Sequence, residues 1–378
     1  YQSESAPRQV RGAMVSAFQL FVAFGIFISY IVNFGTETLG NAASWRITMG
    51  IGFAWPLILG VGTLFLPESP RYAYRHGRTE EARNVMCKLY GVPHNHRVVA
   101  QEMADMKQKL EEELANGDAP WQEVFTGPRM LHRIALQSLQ QLTGANFIFY
   151  YGTSIFQGIG LSNSYVTSII LGAVNFGMTL PGLYIVEHYG RRKCLMYGGA
   201  WMFVCFMIWA SVGHEILNTN PSSHPAGVAM IVFTCFFIVG FATTWGPIVW
   251  AICGEMYPFK YRAVCMGVAT AANWTWNFLI SFFTPFISNT IDFRYGYVFA
   301  ACCFLAILVV FFFVNETQGR TLEEVDTMYV LHVKPWKSSS WVPPEGIIDD
   351  LHRPSTGGRK EGEAGTGEHQ HHDESQEI

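Results

Sequence analysis

The chain alternates between long stretches without a charged side chain and shorter stretches crowded with them. Residues 12–36, 47–67, 134–186, 194–214, 216–254, 263–291 and 295–315 contain no Asp, Glu, Lys or Arg. Each can supply the ~20 apolar residues that cross the hydrocarbon core of a bilayer. The run 134–186 is long enough for two crossings and divides at Gly158-Ile159-Gly160-Leu161-Ser162-Asn163-Ser164, a turn-rich break. The pattern predicts eight helical spans, near 13–33, 46–66, 134–157, 164–186, 194–213, 227–254, 263–288 and 295–314. The expected fold class is an all-α membrane protein.

Of the 378 residues, 50% are hydrophobic and 15% aromatic, which argues against a disordered chain or a nucleic-acid-binding one. The basic residues test the span map independently, because cytoplasmic loops are rich in Lys and Arg. With the start of the chain inside, the inner segments collect Arg8, Arg11, the basic residues from Arg71 to Arg133, Arg191, Arg192, Lys193, Lys260, Arg262 and those from Arg320 to Lys360. Of the 25 Lys and Arg, only Arg46 and Arg294 are left for the outside. Both ends of the chain are therefore expected in the cytoplasm. Cys87 lies in an inner loop and the other seven Cys lie in or at the ends of spans, so no disulfide framework is expected.

Two short motifs recur at almost one period. Glu4-x-x-Pro7-x-x-x-Arg11 precedes the first span, and Glu255-x-x-Pro258-x-x-x-Arg262 occurs 251 residues later, again before a span. Glu68-Ser69-Pro70-Arg71 follows the second span, and Glu316-Thr317-Gln318-Gly319-Arg320 follows the eighth, an offset of 248. The later copy has four further spans in front of it, so the earlier copy is expected to have four as well. That expectation makes the chain an N-terminally truncated piece of a six-plus-six helix protein, with about 130 or more residues upstream of Tyr1. It divides the chain into residues 1–66, the last two membrane helices of an N-terminal half; 67–129, a cytoplasmic helical domain; 130–314, a complete C-terminal six-helix half; and 315–378, a cytoplasmic tail.

Polar side chains inside a membrane span are costly and default to a functional reading. Gln137, Gln140 and Gln141 stand at i, i+3 and i+4 and share one helix face. Asn146 follows Gly144, a residue able to loosen the helix and re-aim what comes after it. Further amides lie at Gln19, Asn175, Asn273 and Asn277, with Trp250 and Trp274 near the last of them. An amide offers two donors and two acceptor lone pairs, which matches hydroxyls that both give and receive hydrogen bonds. Flat aromatic surfaces suit the C–H face of a sugar ring. The spans hold no charge for an ionic solute, so a neutral polyol or sugar is the expected ligand. The competing reading is that some of these amides only join helices, each contributing roughly 0.6–2 kcal/mol. Gly246-Pro247 interrupts the sixth predicted span, since Pro cannot donate the helical hydrogen bond.

Five motifs in order carry a resemblance: Pro67-Glu68-Ser69-Pro70-Arg71, Gln140-Gln141-Leu142-Thr143-Gly144-Ala145-Asn146 with Tyr150-Tyr151, Gly190-Arg191-Arg192, Ala242-Thr243-Thr244-Trp245-Gly246-Pro247, and Glu316-Thr317-Gln318-Gly319-Arg320. With them the chain resembles the sugar porter family of the major facilitator superfamily, and within it the fungal hexose transporters. Two positions depart from the family pattern: its Pro before the Glu-Thr turn is Asn315 here, and the acidic residue that animal glucose carriers place early in helix ten is Ala242. The resemblance implies the major facilitator fold and transport of a hexose by alternating access. It implies sugar contacts at Gln19, Gln140, Gln141, Asn146, Asn175, Trp250 and Asn273, with Trp274 adjacent. Val22, Ile26 and Phe241 would form apolar wall, Tyr150 and Tyr151 an extracellular gate, and Gly246 and Pro247 a gating break.

Charged residues flank the spans on the inner face: Glu4, Arg11, Glu68, Arg71, Glu187, Arg191, Arg192, Glu255, Arg262 and Glu316. The resemblance gives them the role of a cytoplasmic ion-pair latch between the two halves; the plainer alternative is that they are topology signals. Met103, Met106, Leu110 and Leu114 mark an amphipathic helix within 67–129. Disorder is expected in the tail from about 345, where His369, His371 and His372 read as solvated polar residues and not as a metal site. No cofactor and no metal are expected. The expected partners are a small sugar, protons if transport is coupled, and the lipid bilayer of the plasma membrane, with the protein a monomer. Proton symport and facilitated diffusion are equally compatible with these residues, because the coupling groups of relatives lie in helices this chain does not contain. Alternatives are a sugar sensor that does not transport and an inactive piece of a transporter; an enzyme is disfavoured because the spans lack a nucleophile-base pair.

Overall fold

A helix that is apolar on every face has no side suited to water, and most of this chain folds into such helices. The computed structural model describes residues 5, 11–116, 130–158, 164–220, 223–257, 262–320 and 322–342, and among these residues there is no strand. The long helices α1 (Arg11–Glu37) and α2 (Ala43–Leu64) are followed by three polar ones, α3 (Pro70–Arg75), α4 (Thr79–Tyr90) and α5 (Arg97–Asn116). The later part contains α6 (Met130–Leu142), α7 (Ala145–Gly158), α8 (Ser164–His188), α9 (Arg191–Ser211), α10 (His224–Gly240), α11 (Gly246–Met256), α12 (Arg262–Ile291) and α13 (Tyr295–Phe313). A short helix α14 (Leu322–Val330) and a 3-10 turn at Pro335–Ser340 come last. Glu4, the break at 159–163, Pro258, and the tail beyond 342 with its His residues lie outside the described residues.

Six stretches among the described residues are long and apolar enough to cross a membrane: Ala17–Glu37, Ala43–Leu64, Tyr165–His188, Arg191–Leu217, His224–Met256 and Val264–Phe313. The last runs to 50 residues and holds both α12 and α13, joined by a tight 3-10 turn at Asp292–Arg294. The expected span 134–157 differs from the rest, because α6 and α7, of 13 and 14 residues, are each too short to cross alone. They are separated at Thr143-Gly144, where Gly144 has φ of +87°, a left-handed conformation that costs an L side chain energy. A Cβ on Gly144 would lie 2.7 Å from the ring of Phe299.

The bundle formed by α6 to α13 is filled by large rings, among them Phe206, Trp209, Phe237, Trp245 and Phe299. α9 packs most extensively on α13, and α6 on α12. Of the two early membrane helices, α1 packs on α8 and α11, and Tyr30 donates to the Phe149 carbonyl of α7 at 2.6 Å. α2 buries none of its residues. In the polar segment, Ser69 caps α3 with Pro70 at its first position, and α5 turns Met106 inward with Met103 and Leu110 half-buried, as the spacing of these residues predicts.

Candidate functional site

The predicted break in the sixth span has a specific form. Helical hydrogen bonding widens to a π-turn over Phe241–Trp245, where the Gly246 N–H reaches back to the Phe241 carbonyl, and α11 restarts with Pro247 in its first turn. Single π-turns inside α-helices are frequent at functional sites. Gln140 Nε2 donates to the carbonyls of Trp245 (2.9 Å) and Gly246 (3.0 Å), so α6 is fastened to the broken segment by a side chain.

From that anchor a relay of carboxamides runs through the bundle. Asn273 Nδ2 donates to Gln140 Oε1 (3.0 Å) and Gln137 Oε1 (2.8 Å), and Asn273 Oδ1 accepts from Gln141 Nε2 (2.8 Å). Gln141 Oε1 in turn accepts from Asn146 Nδ2. Gln137, Gln140 and Asn273 are buried, whereas Gln141 and Asn146 are half-buried. Among the described residues no further partner is present for the second N–H of Gln141 or the carbonyl of Asn146. At its inner end the relay engages the side-chain oxygens of Gln137, Gln140 and Asn273, while Gln137 Nε2 is buried without a hydrogen-bond partner among the described residues; at its accessible end it retains a donor and an acceptor.

The other expected contacts surround this relay to different degrees. Gln19 lies against Gly246, where an added Cβ would stand 3.3 Å from Gln19 Cγ, and its neighbour Phe18 meets Trp250 edge-to-face at 5.3 Å. Asn175 is fully buried in α8, and neither of its amide atoms has a partner among the described residues. Trp274 is 63% exposed, about 100° around α12 from Asn273. Tyr150 and Asn277 are within hydrogen-bond reach (3.3–3.4 Å), and the Tyr151 hydroxyl donates to the Ser281 carbonyl at 2.5 Å, so both tyrosines tie α7 to α12.

Where α9 begins and α13 ends, Glu316 receives the backbone N–H of Arg191 (2.8 Å) and Arg192 (3.2 Å), the first residues of α9, and those of Thr317 and Gln318 (both 3.2 Å). An anion is favoured at a helix N-terminus, where amides point outward and the helix dipole is positive. Gly190 permits the approach, since a Cβ there would stand 2.6 Å from the carboxylate. The Arg191 guanidinium bonds Glu255 at 2.5 Å and Thr317 Oγ1 at 3.3 Å, while Arg192 donates to the Phe311 carbonyl at 2.9 Å. Arg191, Arg192 and Glu316 are each buried. Glu68 accepts from the Ser69 N–H, Arg71 is half-buried, and exposed Glu187 joins through its backbone carbonyl, which accepts from Gln318. Arg11 and Arg262 open α1 and α12.

A family model described as "Sugar (and other) transporter" matches residues 1–329. The chain belongs to this sugar transporter family. A low-affinity glucose transporter of Saccharomyces cerevisiae is 49% identical over 350 residues, covering 90% of this chain and 61% of that protein. A high-affinity fructose transporter of Schizosaccharomyces pombe is 46% identical over 348 residues, covering 90% of this chain and 65% of that protein. The chain thus spans between three fifths and two thirds of the length of these relatives. Among solved structures, the proton:xylose symporter XylE bound to 6-bromo-6-deoxy-D-glucose superposes with a TM-score of 0.73 at 24% identity, over 87% of this chain and 69% of that one. The inward-open xylose transporter XylE from E. coli gives 0.67 at 24% identity, over 86% and 67%. This sugar transporter family chain therefore has the major facilitator fold and is an integral, multi-pass membrane protein.

Several partners in these networks left little mark on the sequence. Gln137 was legible only as a face-sharing neighbour, yet it accepts from Asn273. Thr317 stands inside the Glu316–Arg320 motif, but nothing in the sequence marks it as a partner of Arg191, nor the Phe311 carbonyl as a partner of Arg192. The Trp245 and Gly246 carbonyls, as backbone groups, leave no trace in the sequence at all.

Proposed function

We propose that the whole protein moves a neutral hexose across the plasma membrane by alternating access, with the relay of Gln140, Gln141, Asn146 and Asn273 receiving the sugar. The observation that carries this reading is the relay itself, an uncharged network held at one end by the carbonyls of a broken helix and open at the other. Broken helices commonly line midplane substrate sites in transporters. Gln19, Asn175, Trp250 and Trp274 complete the proposed site, and the unpartnered Asn175 amide gains from any hydroxyl that reaches it. The relatives, named as glucose and fructose transporters, support a hexose as the solute. Tyr150 and Tyr151 serve as the outer gate and the π-turn with Gly246 and Pro247 as the moving hinge. The ten flanking charges form the inner latch, four of them, Arg191, Arg192, Glu255 and Glu316, gathered at its centre.

The proposal includes the topology that the basic residues support: both ends of the chain cytoplasmic, with 67–129 and 315–378 inside and 1–66 and 130–314 containing the membrane helices. The test is uptake of labelled glucose by the whole protein in cells lacking their own hexose carriers. Saturable uptake, competed by unlabelled glucose and indifferent to gluconate, is expected. Binding of glucose without flux into vesicles marks a sensor instead, and capture of an ionic solute with no response to monosaccharides overturns the reading.

A further inference from the structure

After the last membrane helix the chain turns back, and Pro335–Ser340 lies across the inner end of α13. Trp336 stacks on Phe311 with ring centres 5.8 Å apart and planes within 13°. Arg320 holds the far end, donating to the Trp341 carbonyl at 2.5 Å. Between these points Ser338 is fully buried, although Ser339 and Ser340 beside it are exposed. Its hydroxyl donates to the Pro335 carbonyl (2.6 Å) and accepts the backbone N–H of Glu316 (2.8 Å). A cavity of about 330 Å³, lined in part by Phe312, Asn315, Tyr329 and Trp336, adjoins the strap.

We propose that Ser338 is a positioning residue for the inner gate, a pin that fixes Glu316 and through it the N-terminus of α9 and the Arg191–Glu255 pair. The connection is continuous. Ser338 holds the Glu316 backbone, the Glu316 carboxylate holds the first amides of α9, and Arg191 reaches from there to Glu255 near the end of α11. α11 is the continuation of the π-turn segment to which Gln140 is fastened. Glu316 is itself buried, so removing the serine oxygen leaves its N–H without an acceptor, and a buried unsatisfied donor strongly favours any state that re-solvates it. The strap therefore links the cytoplasmic tail to the helix that flanks the proposed sugar site. This inference rests on the transport reading for its consequence, but its geometry does not.

Cys253 provides a native reporter, being fully buried in α11 two residues before Glu255. The experiment is alkylation of the full chain in membranes by a maleimide supplied from the cytoplasmic side, with modification at Cys253 followed by peptide mass spectrometry. Ser338→Ala is expected to raise the Cys253 rate about tenfold, the order of change that follows from one lost buried hydrogen bond. Ser338→Thr, which keeps the hydroxyl, is expected to restore the wild-type rate. A wild-type rate in Ser338→Ala at unchanged melting temperature overturns the proposal. Where the alanine variant does not fold, Ser338→Cys, with its weaker acceptor, is expected to fall between the two, and equality with wild type there overturns it equally. Labelling needs no sugar flux, so a protein that fails to carry hexose but still responds at Cys253 sinks the transport reading and leaves the pin standing.

Discussion

Asn273 is the residue on which the carboxamide relay converges, with one acceptor and two donors engaged at 2.8–3.0 Å. Asn273→Ala strips partners from Gln137, Gln140 and Gln141 together. Each group left buried and unsatisfied costs about 1–3 kcal/mol. Glucose uptake by the whole protein is expected to fall at least about tenfold with a raised KM, alongside a lowered melting temperature, because both the site and the α6–α12 contact lose their tie. Uptake kinetics on membrane-inserted protein of matched abundance check this. Unaltered KM and melting temperature would remove the relay from the site. The sequence marks these residues well: amides in charge-free spans stand out because lipid penalises them. Which amide bonds which is not marked. Asn273 lies more than a hundred residues from its partners and meets them only after α6 and α12 pack.

At the scale of elements, the proposed site is shaped where helices stop being regular. The left-handed Gly144 turns α7 away from α6 and brings Asn146 back to Gln141. Gly144→Ala adds a methyl 2.7 Å from the Phe299 ring and forces an L residue to φ of +87°. The strain is worth about 1–3 kcal/mol. The variant is expected to melt several degrees lower and to bind sugar more weakly, as read by thermal unfolding and by equilibrium binding on purified protein. A variant that melts and binds as wild type would mean that this break can be relaxed without consequence. The break at Gly246-Pro247 was legible from Pro chemistry, but its form, a π-turn placed before the Pro and propped by Gln140, belongs to the packing of α6 against α11. The span near 134–157 was legible as apolar, whereas its division into two helices follows from rings packed against a residue without a side chain.

For the molecule as a whole, the network around Arg191, Glu255 and Glu316 decides how one end of the bundle is held. Arg191 and Glu255 side chains are only 11% and 25% exposed, so solvent screens their contact less than that of a surface pair. In a double-mutant cycle, Arg191→Ala and Glu255→Gln are expected to couple by about 1–3 kcal/mol in thermal stability. The coupling should persist when salt is raised. Effects that add to within about 0.5 kcal/mol would show that the two residues act independently. The flanking charges were visible as a repeated pattern. The burial of Arg191, Arg192 and Glu316 and the use of Glu316 as a cap on α9, not as a partner of the Arg192 guanidinium, were not.

Sequence by itself determined the membrane character, the helical class and the uncharged make-up of the spans, because these follow from the cost of placing charge or unpaired backbone in lipid, a cost each residue carries wherever it stands. Tertiary structure alone decided the pairings: Gln140 on the Trp245 and Gly246 carbonyls, Asn273 among three glutamines, Ser338 on the Glu316 amide. A hydrogen bond requires two groups within about 3 Å in the right orientation, and the distance between residues remote in the chain is fixed only when the helices that carry them have packed.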